Sequence, residues 1–131
     1  MDKVKKILLV DDDPIQILIN SKLLKRLELS NEILIAENGQ VAFDNHISET
    51  DSIPEVIFLD INMPVLNGWE FLNALSTKIT TEKPFIYMLS SSISPDDMLK
   101  SEEHPMVTEY VTKPLSMDKL ESIKKKVLSS K

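Results

Sequence analysis

The chain of 131 residues contains no cysteine, which excludes disulfides and thiolate-held metals. It also lacks a long hydrophobic run. Met1-Asp2-Lys3-Val4-Lys5-Lys6 leads into only a short apolar stretch before Asp11, too brief for a signal-peptide core or a membrane span. An excess of positive charge is missing as well. Fifteen Lys and Arg against 21 Asp and Glu leave a net charge of −6, which argues against a general nucleic-acid-binding surface. Glycine is scarce: Gly39 and Gly68 are the only two, and both are expected at strand-to-helix turns, where tolerance of positive φ is useful. No repeat, low-complexity segment or linker interrupts the chain. With 42% hydrophobic and 27% charged residues, it reads as one soluble globular domain, most simply cytoplasmic.

Short apolar runs alternate with stretches of helical period, the pattern of a βαβ series and a parallel sheet. Strands are predicted near 6–10, 32–36, 55–60, 84–89 and 107–111. Helices are predicted near 14–28, 39–49, 67–79, 95–103 and 116–129. The first helix has Asp13 as N-cap, Pro14 at its first position and Gln16 completing a capping-box pattern. Its expected buried stripe is Ile15, Ile19, Leu23 and Leu27. Asn67 and Glu70 open the third helix in the same way, with Leu72, Leu75 and Ile79 facing inward. Ser94-Pro95-Asp96-Asp97 starts a shorter, less apolar fourth helix. The last helix is expected to bury Leu120, Ile123 and Val127 and to leave Lys124, Lys125 and Lys126 as a solvated face.

Five residues follow these apolar runs and read together as one site. Asp11 and Asp12 follow Ile7-Leu8-Leu9-Val10, Asp60 follows Val56-Ile57-Phe58-Leu59, Ser90 follows Ile86-Tyr87-Met88-Leu89, and Lys113 comes soon after Tyr110-Val111. In an open α/β sheet the carboxyl ends of parallel strands share one edge, where ligands bind. Clustered carboxylates repel unless one takes a proton or a cation arrives, and Mg²⁺ suits such oxygen ligands. A carboxylate can also be the nucleophile toward phosphorus, with a lysine and a hydroxyl supplying positioning and charge. Taken alone, the Asp triplet is equally a helix cap with surface acids, Lys113 an ordinary surface lysine, and Ser90 a turn residue. His46 and His104 have no ligand-like partner in spacing. Trp69 and Phe71 read as packing residues, and Met63, Met88, Met98 and Met106 mainly as core fillers.

Four segments carry a resemblance: Leu8-Leu9-Val10-Asp11-Asp12-Asp13-Pro14, Leu59-Asp60-Ile61-Asn62-Met63-Pro64 with Gly68, Met88-Leu89-Ser90, and Tyr110-Val111-Thr112-Lys113-Pro114-Leu115. Together they resemble the receiver domain of two-component response regulators, over essentially the whole chain. The resemblance implies a flavodoxin-like, doubly wound three-layer sandwich with five helices and a five-stranded parallel sheet in the order 2-1-3-4-5. It implies a single receiver domain over 1–131 with no output domain, acting as a signalling phosphoacceptor and not as an enzyme. Asp60 is then the phosphoacceptor, served by a sensor histidine kinase or a histidine phosphotransfer protein. Asp12, Asp60 and the backbone carbonyl of Asn62 are expected to bind Mg²⁺ directly, with Asp11 acting through coordinated water. Lys113 is expected to pair with Asp60 and then with the phosphoryl group, and its bond to Pro114 to be cis. Ser90 and Tyr110 are the expected switch, reshaping the face of the fourth helix, fifth strand and fifth helix for a protein target or for onward transfer. Ser90 stands where threonine is commoner, and Ser91-Ser92 makes the next loop polar; Asn62 and Ser92 flank the expected path of water. The expected assembly is a monomer or weak homodimer, with no nucleic-acid or membrane partner. Two alternatives stand beside this: a haloacid-dehalogenase-type phosphatase, disfavoured because Asn62 and not an aspartate lies two residues after Asp60, and a phosphorylation-independent binding module.

Overall fold

Four-residue runs without a polar side chain suit a sheet covered on both faces. The computed structural model, which describes residues 3–48, 53–63, 65–78, 83–90 and 94–130, buries the runs at 7–10, 56–59 and 86–89 in the middle of such a sheet and sets 33–36 at its edge, with Ile35 exposed. Strands β1 (Ile7–Val10), β2 (Ile33–Ala36), β3 (Val56–Asp60), β4 (Phe85–Ser90) and β5 (Glu109–Thr112) alternate with helices α1 (Pro14–Leu27), α2 (Gly39–His46), α3 (Gly68–Ser76), α4 (Pro95–Glu103) and α5 (Met117–Ser129). The sheet is parallel throughout, in the order β2-β1-β3-β4-β5. Strand order therefore reverses between β1 and β3, the switch point where such sheets open a crevice.

Alternation along each strand divides the core into two halves. Ile7, Leu9, Phe58, Tyr87 and Val111 pack with Leu24 and Leu27 of α1 and Leu120, Ile123 and Val127 of α5. Leu8, Val10, Ile57, Leu59 and Met88 pack with Ala42 of α2 and Phe71, Leu72 and Leu75 of α3. Each fully buried aliphatic side chain contributes about 1.5–3 kcal/mol, so the central strands carry most of the stability. The helix α4 is the exception. Its single buried residue is Ser101, while Met98 and Leu99 are exposed.

Capping and packing depart from expectation at several points. Asp13 does cap α1, accepting from the Ile15 N–H at 2.9 Å. The capping box with Gln16 does not form, because the Asp13 N–H donates instead to Asp11 Oδ1 at 3.0 Å. Of the expected stripe Leu27 is buried and Leu23 packs half-buried against the core, but Ile15 and Ile19 are exposed, and Asn20, Ser21 and Leu24 are buried instead. Asn67 and Glu70 complete the reciprocal box at α3, whereas Ile79 falls outside the described residues. Lys124 is not simply solvated, since its ammonium donates to the Leu27 carbonyl at 2.8 Å and ties α5 to the end of α1. No helix among the described residues is long and apolar enough to cross a membrane.

Neither glycine has positive φ; close approach explains both. A Cβ on Gly39 would stand 2.3 Å from the Leu66 carbonyl oxygen, and one on Gly68 would stand 2.8 Å from the carbonyl oxygen of Asp60. Positive φ occurs instead at Glu28, which ends α1, and at Val65, with φ 72°.

Candidate functional site

Sheet register brings the site together. Val10 pairs with Leu59, so Asp11 leaves β1 alongside Asp60 at the end of β3. Asp60 pairs with Leu89, which sets Ser90 one residue further out. Ser90 pairs in turn with Thr112, and Lys113 follows. The Lys113 N–H donates to the Ser90 carbonyl at 2.7 Å, continuing the ladder past the strands. The carboxyl edge thus gathers all five residues singled out from the sequence.

Burial differs sharply among them. Asp11 is fully buried and Asp60 is 5% exposed, while Asp12 lies exposed at the mouth. One oxygen from each of the three carboxylates lies within 4.8 Å of the others. The Lys113 ammonium sits 3.0 Å from Asp11 Oδ2 and 3.5 Å from Asp60 Oδ2, so its nearer partner is Asp11, where Asp60 was expected. Asn62 is exposed, and its N–H donates to Asp60 Oδ1 at 3.3 Å. Ser90 is fully buried, and Tyr110 is half-buried against the α2/α3 side of the core. The Lys113–Pro114 bond is cis. Pro64 and the Ser91-Ser92 pair lie outside the described residues.

Burial pushes the Asp60 carboxyl up to about 6, against the pull of Lys113 and the Asn62 N–H; Asp11 and Asp12 push it the same way as burial. Burial works against the Lys113 ammonium, but the hydrogen bond with Asp11 and the charges of Asp60 and Asp11 outweigh it and hold the group above its usual range. A carboxylate that ionises only against resistance, beside two more acids, favours a cation. Three oxygen donors without sulfur or imidazole suit a hard divalent ion such as Mg²⁺.

Two contacts had no reading in the sequence. His104 stacks on Trp69 with ring centres 6.2 Å apart, and its Nδ1 accepts from the Met106 N–H at 3.1 Å. The Lys119 ammonium donates to the carbonyls of Thr112 and Pro114 at 2.7 and 3.1 Å. The signal for the second was a lysine three residues after the capping Ser116, where a capping box calls for an acid.

Comparison with known proteins agrees with this geometry. The response regulator receiver domain model matches residues 7–125. A two component response regulator from Cytophaga hutchinsonii superposes with a TM-score of 0.85 at 33% identity, over 97% of this chain and 98% of that one. The chemotaxis protein CheY4 of Vibrio cholerae does so with a TM-score of 0.79 at 26% identity, over 95% of this chain and 99% of that one. An uncharacterised response regulatory protein of Vibrio cholerae is 31% identical over 93% of this chain, which spans 44% of that protein. The chain spans 14% of a sensor histidine kinase of Helicobacter pylori that it also resembles. These matches set aside the phosphatase alternative. The chain belongs to the response regulator receiver domains, the phosphoaccepting class of two-component signalling.

Proposed function

We propose that Asp60 accepts a phosphoryl group from a phosphohistidine on a kinase or phosphotransfer protein, and that the acyl phosphate so formed changes what the protein binds. The observation that carries this is the nearly buried Asp60 carboxylate between the Lys113 ammonium at 3.5 Å and two further carboxylates. In the transfer, Asp60 Oδ attacks phosphorus as the P–N bond breaks, and the electron pair leaves with the imidazole. Asp11, Asp12, Asp60 and the Asn62 carbonyl would hold Mg²⁺, which supplies charge neutralisation for the transferring group. Lys113 lies ready to exchange its carboxylate partners for a phosphoryl oxygen. Ser90, buried at the end of β4, would donate to another.

The same reading assigns the switch to Ser90 and Tyr110. New charge and new hydrogen bonds bias an existing two-state equilibrium, and the face made by α4, β5 and α5 responds. Sparse burial along α4 supports this, because a helix anchored by one serine costs little to shift. The signal would leave through this face, by binding a target or by passing phosphate on. The donor would rest on α1. Ile15, Leu18 and Ile19 are 66, 55 and 46% exposed, form one stripe at helical spacing, and begin directly after the site's acids.

Incubation with acetyl phosphate or phosphoramidate, with and without Mg²⁺ and beside Asp60→Asn, tests the reading by intact mass. One added phosphoryl group that requires both Mg²⁺ and Asp60 is the expected result. No adduct in any condition, with folded protein and rapid trapping, would favour the phosphorylation-independent module.

A further inference from the structure

A lysine in the first turn of a helix is locally unfavourable, because the helix N-terminus is the positive end of its dipole. Lys119 occupies that place in α5, three residues after the capping Ser116. The equivalent position in α3 holds Glu70, which closes a capping box. Where one residue breaks the local rule, a compensating role is expected elsewhere.

The compensation is visible. The Lys119 ammonium turns away from the helix and donates to the carbonyls of Thr112 at 2.7 Å and Pro114 at 3.1 Å. These are the residues on either side of Lys113. Among the described residues the Lys119 ammonium enters no ion pair, so the two carbonyls are its partners. Lys113 is also held from the opposite side, where its N–H meets the Ser90 carbonyl at 2.7 Å. Its backbone is therefore fixed at three consecutive residues, and its ammonium reaches Asp11 and Asp60 from that base.

We propose that Lys119 is a positioning residue for phosphoryl transfer, acting through Lys113 by clamping the backbone on both sides of it. The inference rests on the reading of Asp60 as phosphoacceptor and adds a residue to it. Lys119 need touch neither the phosphoryl group nor Mg²⁺. An arginine there keeps the donors and the charge; a methionine keeps only the stem.

The test combines two readouts on folded protein, with urea midpoints as a check. The first is the initial rate of phosphorylation by acetyl phosphate at saturating Mg²⁺, in wild-type and Lys113→Gln backgrounds. Lys119→Met is expected to slow wild type about tenfold, in line with the cost of small misplacements. Lys119→Arg is expected to recover most of that rate, and Lys119→Met to have no further effect once Lys113 is Gln. The second readout is the Lys113 Cε–H resonance at one pH without Mg²⁺. It should stand apart from the other lysines in wild type and collapse toward them in Lys119→Met. Lys119→Gln serves if the methionine variant does not fold. An equal slowing in both backgrounds, or an unchanged rate together with an unchanged Lys113 resonance, overturns the proposal. If wild type accepts no phosphoryl group, the reading of Asp60 fails, while the Lys113 resonance alone still decides whether Lys119 positions it.

Discussion

Asp60 carries a cost in the folded state. Its carboxyl is raised from 3.8 to about 6 by burial first, with Asp11 and Asp12 adding to the effect. The sign follows directly. The folded state holds a proton on Asp60 that the unfolded chain releases from about pH 4, so stability falls as pH rises from 4 to 6 and stays lower above that. A shift of this size corresponds to about 1–3 kcal/mol. Asp60→Asn should therefore match wild type near pH 4 and exceed it by about 1–3 kcal/mol at pH 7. Urea denaturation in a chelator at both pH values checks this; a variant less stable than wild type at pH 7 would contradict it. Lys113 does not cancel the cost, because its ammonium lies nearer Asp11 than Asp60.

At the scale of elements, the loop from β3 to α3 sets where Asp60 points. Gly68 begins α3 directly against the carbonyl of Asp60, and an added Cβ would stand 2.8 Å from that oxygen and 3.0 Å from the Ile61 Cα. Both neighbours are backbone and cannot swing aside. Gly68→Ala should cost about 1–3 kcal/mol of stability and slow phosphorylation more than a distant variant of equal stability. Equal rates at matched stability would show that the contact does not reach the site. Within the same loop, Val65 holds φ 72° while 77% exposed, a conformation unfavourable for a β-branched residue. Val65→Gly should stabilise the fold by about 1 kcal/mol, read as a higher urea midpoint, since no packing is lost; a lower midpoint would contradict this.

These elements also mark what the sequence could convey. Central strands and the buried face of α5 were legible because every residue of a four-residue run had to be apolar, and Leu120, Ile123 and Val127 left one helical face available. The α1 stripe was not. That helix has apolar residues on two faces, and periodicity alone cannot say which meets the sheet; the exposed Ile15, Leu18 and Ile19 belong to the other one. The carboxylate cluster was legible because each acid closes a strand. The Lys119 clamp was not, because its acceptors are backbone carbonyls, which no side-chain pattern announces.

For the whole molecule, one fold sets three clustered acids, the exposed apolar stripe of α1 and the thinly buried α4 around a single sheet. Mg²⁺ at about a hundred times its dissociation constant should stabilise the folded state by about 2.7 kcal/mol. Thermal unfolding should show that gain in wild type and lose it in Asp12→Asn; an equal gain in both would place the ion elsewhere. On α1, replacing Leu18 with Asp should slow transfer from a histidine-bearing protein donor while leaving acetyl phosphate unaffected. Equal slowing with both donors would point to damage at the site and not to docking. The central claim is that phosphorus is carried by one carboxylate. Borohydride reduction of the freshly phosphorylated protein, followed by peptide sequencing by mass, locates the acyl phosphate as homoserine. The account predicts homoserine at position 60 alone, formed only when Mg²⁺ was present. Homoserine at position 11 or 12, or none from protein that carries the added phosphoryl mass, would contradict it.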